Sequence, residues 1–179
     1  MSELASTSNP SKKIDINLVK QSVELLTETF KQSPKSSSLS IRCNSDINQI
    51  TKCIIEYINQ NEELKSLTIE GYEQQGPSGI SDIIKAAKSK SELEEFAIIG
   101  LPLGGAEDDI NELVKHNPNL RSLVLNADQY DNHPNHYKFN PQKLNPELLR
   151  TNILTDIQIT HPFATSTSSE NKWCNRMIW

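Results

Sequence analysis

Cysteine is scarce in this chain: 179 residues contain three, Cys43, Cys53 and Cys174, an odd number with no Cys-x-x-Cys pair. That excludes a disulfide framework and points to a reduced, intracellular protein. Basic residues are in the minority, 18 Lys and Arg against 23 Asp and Glu, for a net charge of −5. A chain of that sign does not track a phosphate backbone, so no nucleic-acid partner is expected. Long apolar runs are missing too. Nowhere do about 18 apolar residues stand together, so no membrane insertion is expected. The opening MSELASTSNPSKK lacks the apolar centre of a signal peptide. Its one Asn-x-Ser match, at Asn9, is cancelled by Pro10. The expected location is the cytoplasm, or a host cytosol reached by secretion without a classical signal peptide. Apolar residues make up only 35%, which suits one thin, elongated domain better than a thick two-layer core.

Against these absences stands a recurring pattern. LKSLTI places Leu64, Leu67 and Ile69 at its first, fourth and sixth positions. LEEFAI does the same with Leu93, Phe96 and Ile98, LRSLVL with Leu120, Leu123 and Leu125, and LTDIQI with Leu154, Ile157 and Ile159. Upstream, SSSLSI supplies Leu39 and Ile41, with Ser36 in the first position. The central residues Leu39, Leu67, Phe96, Leu123 and Ile157 are separated by 28, 29, 27 and 34 residues. Each stretch alternates as a half-buried strand does. Between them lie segments of helical period, with Ile47, Ile50, Ile54 and Ile58 in one, Ile80, Ile83, Ile84 and Ala87 in the next, Ile110, Leu113 and Val114 in the third. The fourth, PQKLNPELLRTN, carries Leu144, Leu148 and Leu149, and Pro146 suits the first turn of a restarted helix.

The repeating LxxLxL resembles the leucine-rich repeat family, in its helix-containing, ribonuclease-inhibitor-like class, over residues 36 to 162. One position departs from the family pattern. Three places past the last apolar residue of each strand, where Asn or Cys is usual, stand Asn44, Tyr72, Leu101, Asp128 and Pro162, of which only Asn44 conforms. The resemblance implies an α/β solenoid of about five βα units, with parallel strands on a concave face and helices on a convex one. The same curvature follows from spacing, since strands stack about 4.8 Å apart and helices about 10 Å apart. Such a stack needs covers at its ends. Residues 1–13 are expected to be disordered, 14–163 to form the single domain, and 164–179 to be a C-terminal tail. Within the domain, residues 14–33 are expected to form a capping helix carrying Val19, Val23, Leu26 and Phe30. The tail, ending WCNRMIW, either covers the last repeat or serves as a sorting signal.

Three stretches could be drawn as chemistry. GLPLGGAEDD, Gly100 to Asp109, has glycines before a helix, but no Lys and no Ser or Thr follows them. Glu107, Asp108 and Asp109 in the first helical turn would repel a phosphate, so the stretch reads as a turn. The insertion 126–141 contains Asp128, Asp131, His133 and His136, but His-x-x-His interrupted by Pro134 has no helical spacing for a metal. Neither Cys174 nor His161 has a third group to complete a nucleophilic set. No catalytic residue, metal or cofactor is expected.

The expected site is a protein-binding surface. If the strands lie as read, Glu70, Glu95, Ala97, Ile99, Val124 and Asn126 point away from the helices, with Ala97, Ile99 and Val124 as an apolar spot inside a polar rim. Tyr130, Tyr137 and Phe139 concentrate in the long 127–141 loop, and Tyr is a favoured interface anchor. The expectation is a non-enzymatic, monomeric scaffold that binds an unidentified protein. Short repeat proteins of this kind resemble bacterial effectors delivered into a host cell. Two alternatives are a cysteine-dependent, ubiquitin-ligase-like enzyme using Cys174, and an adaptor that recruits one protein by its N-terminal helix.

Overall fold

The computed structural model describes residues 13–18, 23–43, 47–71, 79–127, 139–150 and 154–160. Six parallel strands form one open sheet: β1 (Lys13–Leu18), β2 (Ser38–Cys43), β3 (Ser66–Gly71), β4 (Glu95–Leu101), β5 (Ser122–Ala127) and β6 (Asp156–Thr160). They lie side by side in chain order, β1 to β6, with no reversal. A doubly wound sheet would reverse its order and open a crevice there; this one does not. Helices α1 (Val23–Gln32), α2 (Asn48–Gln60), α3 (Ile80–Lys88) and α4 (Glu107–His116) alternate with the strands, and each packs on the next. After β5 come a 3₁₀ turn at Pro141–Lys143 and the one-turn α5 (Pro146–Leu149).

The register shows why the sequence folds this way. Leu39 stands beside Leu67, Leu67 beside Phe96, Phe96 beside Leu123 and Leu123 beside Ile157. Ile41, Ile69, Ile98, Leu125 and Ile159 form the adjacent row. All of these side chains are buried against the helices, each worth about 1.5–3 kcal/mol of transfer free energy. Leu64, Leu93, Leu120 and Leu154 are buried as well. Ser36 holds the same position in its unit, buried, and its hydroxyl donates to the Ser38 carbonyl at 2.8 Å. A Ser can replace a Leu there because its polar atom is satisfied locally.

Two further devices stitch one unit to the next. Just before each strand, a single carbonyl accepts from two successive N–H groups of the following unit. Ser37 accepts from Lys65 and Ser66, Lys65 from Glu94 and Glu95, Glu94 from Arg121 and Ser122, and Arg121 from Thr155 and Asp156. Three residues before the strand-leading leucines, a polar side chain is buried: Asn61, Lys90 and Asn117. Asn61 donates to the Ser36 carbonyl at 2.7 Å, and Lys90 to the Asn59 carbonyl at 3.1 Å, each reaching back one unit. Asn117 instead donates to Leu113 of its own helix at 2.7 Å.

Two sequence expectations for the N-terminal segment need correction. Residues 14–33 are not one helix. Lys13–Leu18 is a strand paired along its length with β2, and the helix begins only at Val23. KIDINL alternates polar and apolar residues, so Ile14 and Ile16 extend the buried rows by one strand while Lys13, Asp15 and Asn17 are exposed. Val23 is accordingly exposed, and Leu26 and Phe30 carry the buried face of α1. Lys13, placed in a disordered segment by the sequence reading, belongs to the sheet. Of the expected N-terminal and C-terminal tails, residues 1–12 and 161–179 lie outside the described residues.

Candidate functional site

With every described α-helix on one face, the other face of the sheet consists of alternate strand residues. On β2 to β5 all but two of these are half-buried, Arg42 and Glu95 being exposed. Ala97 lies in register between Thr68 and Val124, and Ile99 between Glu70 and Asn126. Ala97, Val124 and Ile99 therefore form a contiguous half-buried apolar spot across β4 and β5, as the sequence pattern required. Strand pairing places it, because register fixes which side chains share a face.

Charged and hydroxyl side chains frame the spot. Glu70 accepts from Nε of Arg42 at 2.7 Å across neighbouring strands, which neutralises it on one flank. The hydroxyl of Ser66 donates to Glu95 at 2.8 Å, and that of Ser122 to Asp156 at 3.2 Å. Each carboxylate is thus held in place by a Ser of the preceding strand. Where the strands begin, Lys65 donates to Glu94 at 2.9 Å. That bond and charge hold the Glu94 carboxyl below its usual range and push the Lys65 ammonium up. Such an exposed pair fixes side chains more than it stabilises the fold.

The long insertion divides into two parts. Tyr130 and Tyr137 lie outside the described residues, as do Asp128, Asp131, His133 and His136. Phe139 is described, and it is buried in the core rather than offered to a partner. The cause is the anchoring of the next residue: the Asn140 N–H donates to Glu107 at 2.7 Å, drawing the chain back onto the start of α4. Asn111 continues the seam, donating to the Lys143 carbonyl at 3.0 Å and accepting from the Asn145 N–H at 2.8 Å. The sequence reading treated the three aromatics as one group and missed Glu107, which is buried although it opens a helix. Nothing in its local pattern distinguishes it from Asp108 and Asp109.

The turn expected at Gly100–Asp109 is present. Gly100 and Gly105 have φ of 68° and 84°, and Glu107, Asp108 and Asp109 form the first turn of α4. Cys43 is buried on β2, and Cys53 is half-buried on α2 beside the Thr27 hydroxyl at 3.6 Å. His161 and Cys174 lie outside the described residues. Among the described residues no group of three His, Cys, Asp or Glu side chains could hold a metal ion, and no helix is long and apolar enough to cross a membrane. No family model matches the chain, and neither a curated protein nor a solved structure does.

Proposed function

We propose that this chain is a leucine-rich-repeat-type solenoid, and that it works without catalysis by binding a protein through the helix-free face of its sheet and the 127–141 loop. The observation that carries the reading is the half-buried strip of Ala97, Ile99 and Val124 inside a frame of Glu70, Glu95 and Asn126. Apolar contact area ringed by oriented polar groups is the usual composition of a modest interface. The carboxylates held by Ser66 and Ser122 enter binding with less side-chain freedom to lose. Its place of action is a cytosol, its own or that of a host cell into which it is delivered as an effector.

The test is affinity capture from a eukaryotic lysate with the full chain and with an Ile99→Arg/Val124→Arg variant. Both side chains are half-buried on the open face, so the variant should keep the wild-type circular dichroism. Loss of the captured proteins is expected. Undiminished capture by the folded variant would overturn the placement of the site.

A further inference from the structure

The sheet face that carries Ala97, Ile99 and Val124 is not electrically uniform. On its β2–β3 flank the charges cancel, since Glu70 accepts from Arg42 at 2.7 Å. On the β4–β6 flank they do not. Glu95 and Asp156 are exposed, and neither enters an ion pair among the described residues. Of the cations that lead the strands, Lys65 bonds Glu94 at 2.9 Å, and the charge of Arg121 falls on Glu94 too. The described partners of the two carboxylates are neutral. Ser66 donates to Glu95 at 2.8 Å, while Ser122 and Gln158 donate to Asp156 at 3.2 and 3.3 Å. Such donors aim a carboxylate and leave its charge in place.

Register fixes how far apart these charges stand. Glu95 pairs with Ser122 and Ser122 with Asp156, so β5 alone lies between them. Each carboxylate leans toward the strand before its own, which keeps their separation near two strand intervals, about 10 Å. Ala97 and Val124 occupy the row directly alongside.

We propose, resting on the reading of this face as a protein-binding surface, that the partner lays an α-helix across these strands. That helix carries Lys or Arg seven residues apart, with an apolar stripe beside them. Residues i and i+7 of a helix return to one side after about 10.5 Å, which matches the carboxylate spacing. In an extended segment, side chains on one side recur at about 6.8 and 13.6 Å, a poorer match. The basic ends meet Glu95 and Asp156, and the apolar stripe covers Ala97, Val124 and Ile99. A second copy of this chain does not fit, because none of its described helices has Lys or Arg at that spacing.

Selection from a display library of random helical peptides, about 18 residues and so about 27 Å long, tests this with the full chain as bait. Binders should carry Lys or Arg at the seven-residue spacing next to an apolar stripe. Glu95→Lys/Asp156→Lys should weaken a selected peptide by at least about tenfold in fluorescence anisotropy. Changing the two peptide cations to Glu should recover binding to that variant. Glu95→Gln/Asp156→Asn, close in shape, should weaken the original peptide in the same direction. Glu56→Lys, at an exposed carboxylate on α2, should leave affinity within about twofold. Far-UV circular dichroism checks that each variant folds. Failure to select binders, binders without the basic spacing, or indifference to the double reversal overturns the proposal. Ile99→Arg/Val124→Arg separates the two claims. Binders lost on that variant yet indifferent to the carboxylates would leave the binding face standing and sink the basic helix. Binders indifferent to both sets of changes would remove the face itself.

Discussion

The ammonium of Lys90 donates to the carbonyl of Asn59 at 3.1 Å, reaching from the turn before β4 to the last turn of α2 in the preceding unit. A cation at a helix C-terminus is favourably placed. Lys90 is nevertheless buried, and desolvation, only partly offset by the charge of Glu62, lowers its pKa from the ordinary 10.5. The protonated form is therefore penalised in the folded state. That penalty is fully present below the folded pKa and fades as pH rises toward the unfolded value. Lys90→Met, which keeps the length and drops the charge, should leave stability within about 1 kcal/mol of wild type at neutral pH, with any change toward greater stability. Because the wild type sheds its penalty on approaching about pH 10.5, an advantage of the variant should shrink there. Tyr57 acts in the opposite direction, since burial raises its phenol and folded stability falls as pH climbs above 10.0. Urea denaturation of both proteins at two pH values, compared as a difference, cancels that contribution. An advantage that grows with pH would refute the assignment.

Asn61 and Asn117 occupy equivalent places and do different work. Asn61 joins two units through the Ser36 carbonyl, and its own Oδ1 accepts from the Glu63 N–H at 3.2 Å. The Asn117 side chain bonds only to its own helix among the described contacts, and its Oδ1 is buried without a partner. Asn61→Ala should therefore cost about 1–3 kcal/mol. Asn117→Ala should cost less, because it also removes an unsatisfied oxygen. Chemical denaturation of the two variants ranks them directly, and an inverted order would contradict this account.

Gly71 ends β3 where a side chain has no room. A Cβ there would stand 2.4 Å from Cδ2 and 3.0 Å from Cγ of Leu101. Leu101 reaches that place through the register shift between Ile99 and Leu101, which the positive φ of Gly100 permits. Gly71→Ala should destabilise by about 1–3 kcal/mol through overpacking. In a Leu101→Ala background the same change should cost markedly less, because the colliding atoms are gone. A thermal-denaturation cycle over the four proteins checks the coupling, and strictly additive losses would show that Leu101 is not the obstacle.

Much of this architecture is legible in the chain because an apolar residue at the fourth and sixth places of each unit fixes which way a strand faces. Leu67 and Ile69 identify β3 without any knowledge of its neighbours, and the 28- and 29-residue steps then supply the register seen in the sheet. The rest was hidden for physical reasons. β1 escaped because Val19 and Val23 continue a helical period into KIDINL, although Ile14, Ile16 and Leu18 alternate as a strand does. Phe139 looked like part of an aromatic loop because the bond that turns it inward joins Asn140 to Glu107, thirty-three residues apart in sequence. The Ala97, Ile99 and Val124 strip was readable, since alternation alone decides it. The buried column of Asn61, Lys90 and Asn117 recurs three places before Leu64, Leu93 and Leu120, but a search for apolar residues passes over it.

The succession of β1 to β6 across the sheet is also the order in which a ribosome would make them. Each new strand finds its docking neighbour 25 to 34 residues behind it, already synthesised, and never has to wait for a distant part of the chain. Nascent segments can therefore settle one after another during translation, with no long-range search at the end.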